Sequence, residues 1–239
     1  MSTYLKAAKG FSLVELIMAI AVGLVLMAAV WTAVWSGQRS SVGIERKVTT
    51  NQDARAALEM MAVEIRMASF NSLFTANIWR SPTDCSISAN QNYRGIQVAT
   101  ATSITIEMDI DADGTCGNRT GEIIRYEYDA ANLRLNREII TCTGGVRSPQ
   151  ALVSFLGPIA GQPAVRTVEV VNGAVPVFRY FDGTGTQIAY ADLPSGIPRI
   201  RRIEIALLVR SADVDPSTGQ PRQMAYSTSV IPRNHGVIF

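Results

Sequence analysis

One short cluster of carboxylates and one isolated carboxylate hold most of the residues in this 239-residue chain whose types and spacing suggest chemistry. The first is Asp109-Ile110-Asp111-Ala112-Asp113-Gly114. Its D-x-D-x-D-G order is how a calcium loop begins, because alternating carboxylates converge on a hard cation and Gly allows the sharp turn. The completion is poor. With Asp109 as the first position, the twelfth is Thr120 instead of a bidentate Glu, and Glu122 comes two places late. Both flanks alternate as strands, 102–108 and 122–128, so an EF-hand between helices is not expected. The competing reading of Asp109, Asp111 and Asp113 is an acidic turn between strands. The second is the isolated carboxylate, Glu15, which interrupts an otherwise apolar run.

Other reactive groups are sparse. Cys85, Cys116 and Cys142 are too few for a disulfide-built fold and lack the C-x-x-C spacing of a zinc site. A turn at Asp129-Ala130-Ala131-Asn132 would pair residues summing to about 261. This sets Cys142 opposite Arg119 and near Cys116, so a Cys116–Cys142 bridge is geometrically plausible and three unpaired thiols are the alternative. The sole histidine, His235, rules out a multi-histidine metal centre and reads as an exposed tail residue. No G-x-x-x-x-G-K-[ST] or G-x-S-x-G occurs, and any Ser–His or Cys–His dyad would have to use His235. The chain is not expected to be an enzyme, and calcium is the one cofactor its residues suggest.

The elements that position Glu15 are plain. Residues 16–38 carry no charge and are mostly Leu, Ile, Val, Met and Ala, enough to cross a hydrocarbon core that needs roughly 20 helical residues. A secretory signal would put a small-residue cleavage site after the apolar run, and none follows. A carboxylate near the middle of such a span costs about 2.5–3.5 kcal/mol, less near its end, so Glu15 calls for a partner. Lysines occur only at Lys6, Lys9 and Lys47. With Lys6 and Lys9 set aside the 22 basic side chains fall to 20 against 20 acidic ones, a neutral balance that gives no footprint for nucleic acid.

The string Lys9-Gly10-Phe11-Ser12-Leu13-Val14-Glu15-Leu16 resembles the class III signal of type IV prepilins. That resemblance implies cleavage by prepilin peptidase between Gly10 and Phe11, N-methylation of Phe11, and a role for Glu15 as the fifth mature residue. The carboxylate would pair in lipid with the Phe11 ammonium of its own or a neighbouring subunit. It further implies a leader at 1–10, an inner-membrane and assembly helix at 11–38 with the head in the periplasm, and later a place on the pilus at the cell surface. The partners it implies are other minor and major pilins.

Past the span the pattern stays helical. Residues 38–70 contain no Pro, and Ala54, Leu58, Met61, Ile65 and Ala68 recur at steps of four and three, which predicts an amphipathic half at 39–70. Gly37 and Gly43 are its predicted soft points. After Phe70 comes a loop-like stretch to Asn92, then short alternating runs at 104–108, 124–128 and from Leu133, with more at 165–171, 175–182, 202–210 and 222–231. One long helix followed by an antiparallel sheet defines an α+β, pilin-like class with a β-rich head at 71–239.

Within the head, Gln52-Asp53-Ala54-Arg55-Ala56-Ala57-Leu58, Glu64-Ile65-Arg66, Phe178-Arg179-Tyr180-Phe181-Asp182, residues 203–210 and Pro232-Arg233-Asn234 resemble PilW-type minor pilins. The J-type minor pseudopilins of type II secretion are similar over much of the same span. Many major pilins carry a Pro within the first helix, whereas 11–81 has none. The resemblance therefore implies a minor pilin in a priming or tip complex. A minor pseudopilin, or a module that binds a ligand at the tip, is the alternative.

Overall fold

The computed structural model describes residues 10–143, 145–150, 153–159, 162, 168–211, 214 and 218–236. Its first element, α1, is a single helix over Leu13–Met67, 55 residues and therefore about 80 Å long. Ser12 caps its start, no proline interrupts it, and it passes through Gly37 and Gly43 without a break. It ends where Ala68 turns extended and Ser69 takes φ 67°, a left-handed step that no continuing helix accepts.

The helix has two contrasting halves. From Gly10 to Val42 every residue is exposed, and among the described residues the first buried one is Thr50. Beyond it the predicted stripe of Ala54, Leu58, Met61, Ile65 and Ala68 is buried throughout. Burying a Leu, Met or Ile side chain contributes roughly 1.5–3 kcal/mol, so three of them hold this half firmly to the head.

The head consists of two antiparallel sheets. In the first, β1 (Ile96–Ala99), β2 (Ser103–Glu107), β3 (Ile123–Asp129) and β4 (Arg134–Thr143) follow in order, and β5 (Val146–Pro149) and β6 (Val153–Leu156) share the outer edge of β4. In the second, β9 (Arg202–Ser211) is central, with β10 (Gln223–Val230) along one side and β7 (Val168–Val170) and β8 (Phe178–Phe181) along the other. The inward set of β9, Ile203, Ile205, Leu207 and Val209, meets the helix stripe, and α1 packs on β9, β10 and β6. Glu64, on the same helix, accepts from Nη2 and Nε of Arg137 at 2.6 and 3.1 Å and from the Tyr126 hydroxyl, which ties α1 to β4 and β3.

The runs predicted at 175–182, 202–210 and 222–231 are β8, β9 and β10. The run at 165–171 is seen as β7, with 165–167 outside the described residues, as are Lys6, Lys9 and the rest of the leader before Gly10.

Four expectations are corrected. The β3–β4 turn holds four residues, Ala130 to Leu133, because Asp129 pairs with Arg134 and Leu133 takes φ 52°; partners therefore sum to 263. The ladder also ends at Ile123, and the last residues of β4 turn to β5, with Cys142 opposite Arg147. Cys142 consequently bonds Cys85, across 57 residues of sequence, and Cys116 is a free, buried thiol. His235, expected to be an exposed tail residue, is fully buried. Finally, Thr105 and Glu107 do not face solvent as the alternation of β2 suggested. All five residues of β2 are buried because the segment after α1 folds over the second face. There the Arg80 N–H lies 3.1 Å from both Glu107 carboxylate oxygens, and Gln97 Nε2 also donates to Oε1. Burial pushes the Glu107 carboxyl up to about 8.

Candidate functional site

At the membrane end, the residues singled out by sequence form a closed local unit. Ser12 Oγ accepts from the Glu15 N–H at 3.2 Å, and Glu15 Oε2 accepts from the Ser12 N–H at 3.0 Å, a reciprocal capping box. The Ser12-Leu13-Val14-Glu15 spacing is the S-x-x-E signature of that box, a signal the sequence itself carries. The unit satisfies two backbone N–H groups at the exposed start of the helix. It also sets the carboxylate beside Ser12, one residue from the nitrogen of Phe11. Phe11 itself is exposed, as are the apolar side chains that follow. This half of α1 is long and apolar enough to cross a membrane.

In the head, the acidic run folds as a loop between β2 and β3. Asp109 is buried and accepts from the backbone N–H groups of Asp113 and Gly114 at 3.2 and 3.0 Å. Asp111 is exposed and paired with Nε of Arg119 at 2.8 Å. Glu122 is buried; its Oε2 accepts from the N–H groups of Gly117 and Arg119 at 2.8 and 3.0 Å. Burial, aided by the charge of Asp111, holds the Glu122 carboxyl above its ordinary range. The structure thus brings Asp109 and Asp111 together with Glu122. It turns Asp113 to other work, as acceptor for the Thr115 N–H at 2.8 Å and for Asn118 Nδ2 at 2.6 Å. Glu122 lies two places past the closing position of an EF-hand, a spacing that a loop between strands need not keep.

The loop is anchored at its far side. Gly117, at φ +85°, lies so close to the bridge that a Cβ there would meet Cys142 Sγ at 3.0 Å, and its carbonyl accepts from the Cys142 N–H at 2.5 Å. The Cys116 carbonyl accepts from Arg80 Nε at 2.8 Å. Burial, with the charges of Glu107, Glu122 and Asp109 around it, raises the Cys116 thiol far above its ordinary range, so it stays protonated and a poor nucleophile.

His235 closes the other end of the helix. Its Nε2 lies 2.7 Å from the Ile197 carbonyl oxygen, and its Nδ1 lies 3.0 Å from both Ser69 Oγ and the Arg94 carbonyl. Burial pushes its pKa down, with the nearby Arg201 and Arg94 charges adding to the effect. The ring joins the exit of α1 to the C-terminal turn, and no candidate nucleophile for a dyad besides Ser69 contacts it among the described residues. A lone His four places from the end gave no sequence signal for this.

Comparison with known proteins agrees with the membrane end. The prokaryotic N-terminal methylation motif matches residues 5–31, a stretch that runs from the basic leader through Glu15 into the exposed half of α1. No curated protein and no solved structure matches the chain. The protein is type IV prepilin-like, with an N-terminus of the kind that prepilin peptidase processes in pilins and pseudopilins alike. Its long helix and antiparallel sheets give it a pilin-like α+β fold.

Proposed function

We infer that the protein is a minor pilin of PilW type. It is cut after Gly10, N-methylated at Phe11, held in the inner membrane by residues 11–38 with its head in the periplasm, and then built into a priming or tip complex of a type IV pilus. The observation that carries this reading is the division of α1. A methylation motif opens an apolar rod whose described residues are exposed, while one face of the second half of the same helix is buried against the head. Such a rod has two fitting environments, lipid and the helices of other subunits. The absence of Pro from 11–81, together with the segments in α1, β8 and β9 that resemble PilW-type proteins, favours a minor over a major subunit. The role is structural, with other pilins as partners.

The test is Glu15→Val. Its carboxylate lies past the cut, so the variant is expected to be processed to mature size and to remain in the membrane. Without a partner for the Phe11 ammonium of a neighbour, it should fail to co-purify with sheared filaments or with other minor pilins. Normal incorporation would remove charge pairing from the argument. Recovery of the unaltered protein with secretion pseudopilins instead of pilus subunits would move it to the type II apparatus.

A further inference from the structure

We propose that Asp109, Asp111 and Glu122 form a calcium site in the loop between β2 and β3, with Asp113 supporting the loop without binding the ion. One carboxylate oxygen from each of the three lies within 4.8 Å of the others. That is about the span across a cation with oxygen bonds of roughly 2.3–2.6 Å. The acidic run alone would not carry this. The second observation is Glu122 Oε1, an oxygen sealed from solvent in a fully buried side chain with no hydrogen-bond partner. A buried carboxylate oxygen left unpaired is destabilising unless something positive meets it, and a cation shared with Asp109 and Asp111 would do so. Among the described residues neither Asp109 nor Glu122 has an ion pair, although both are fully buried.

The surroundings favour a hard cation. All three donors are oxygens, the free thiol of Cys116 is protonated, and Asp111 stays open to water, which can complete the coordination. Arg119 is the competitor, since its Nε holds Asp111 at 2.8 Å and must let go as the ion enters. Gly114, at φ +80° with no room for a Cβ beside Thr75, keeps the turn that brings the acidic groups round.

The experiment uses the full-length protein in detergent micelles, titrated with calcium or magnesium and compared with a chelator control. Calcium at about a hundredfold excess over Kd should raise Tm by roughly 5 °C, with magnesium giving less. Glu122→Gln should abolish the increment, Asp113→Asn should keep it, and Arg119→Ala should tighten calcium binding severalfold. If Glu122→Gln does not fold, Asp111→Asn serves. It alters an exposed side chain and should weaken calcium about tenfold with the metal-free Tm unchanged. The proposal falls if no calcium-dependent shift occurs at about 10 mM, ten times the weakest usual site. It falls equally if Asp113→Asn removes the shift while Glu122→Gln or Asp111→Asn leaves it.

Discussion

The two halves of α1 share one backbone ladder and differ in almost everything else. Residues 13–42 present apolar side chains on all sides and meet no other part of the head, whereas residues 50–67 show an ordinary amphipathic face with Met61 and Ile65 sealed against β9 and β10. Helix propensity alone does not separate them, since both halves are rich in Ala, Leu and Met. Polarity does: residues 13–42 carry only the charges of Glu15 and Arg39, whereas the shorter stretch 50–67 carries Asp53, Arg55, Glu59, Glu64 and Arg66, so a single helix belongs to two environments at once. The polar side chains follow the same division. Glu15 in the first half finds its partners within its own first turn, and Glu64 in the second reaches across to Arg137 and Tyr126.

The largest effect should come from removing a buried anchor. Ile65→Ala is expected to cost the head about 2–5 kcal/mol in denaturant unfolding, against no more than about 0.5 kcal/mol for Leu24→Ala in the exposed half. Equal losses would erase the distinction. Next comes the polar tie. Arg137→Ala leaves Glu64 half-buried with only the Tyr126 hydroxyl and should cost about 1–3 kcal/mol, whereas Arg39→Ala removes just an exposed stacking of the guanidinium on Trp35 and should be near neutral. A double-mutant cycle with Glu64→Ala would give the coupling directly.

The smallest effect is set by pH. His235 is held neutral by burial, so its folded pKa lies below the unfolded value of 6.5. Its contribution is fully present above 6.5 and is lost as pH falls toward the folded pKa, because the unfolded chain then takes up a proton that the native ring refuses. Because buried Glu107 titrates in the same range with the opposite sign, the ring is read as a difference: relative to His235→Leu, the unaltered protein should lose hydrogen-exchange protection at the amides of residues 50–67 between pH 7.5 and 5.5, with those of 16–38 in the micelle the same in both. No difference between the two proteins at residues 50–67 would sever the ring from the exit of α1.

Much of this architecture was legible in the sequence for identifiable reasons. The apolar run, the stripe at steps of four and three, and the alternation in β9 are local periodicities, and each survived as predicted. What failed depended on contacts between distant segments. Cys85 and Cys142 are 57 residues apart, and nothing near Cys85 hints at the strand end that it meets. Thr105 and Glu107 alternate as a half-exposed strand would, and only the fold-back of the loop carrying Arg80 buries them. The hairpin arithmetic was sound in form and wrong by two, since Leu133 can adopt φ 52° and lengthen the turn. For the acidic loop, sequence located Asp109 and Asp111, while Glu122 entered because β3 begins one residue after it.

The unbroken run of α1 from lipid-like exposure into the head also has a mechanical meaning. A pull along the helix axis enters the rod over residues 50–67 as shear, shared in parallel among the buried stripe, the Glu64–Arg137 pair and the Ser69 exit. Beyond Val42 the same load passes in series through a single column of backbone hydrogen bonds. The grip on the head therefore resists force as a sum of contacts, while the free rod resists it only as well as its weakest turn, and Gly23 and Gly37 are the places where that turn would be sought first.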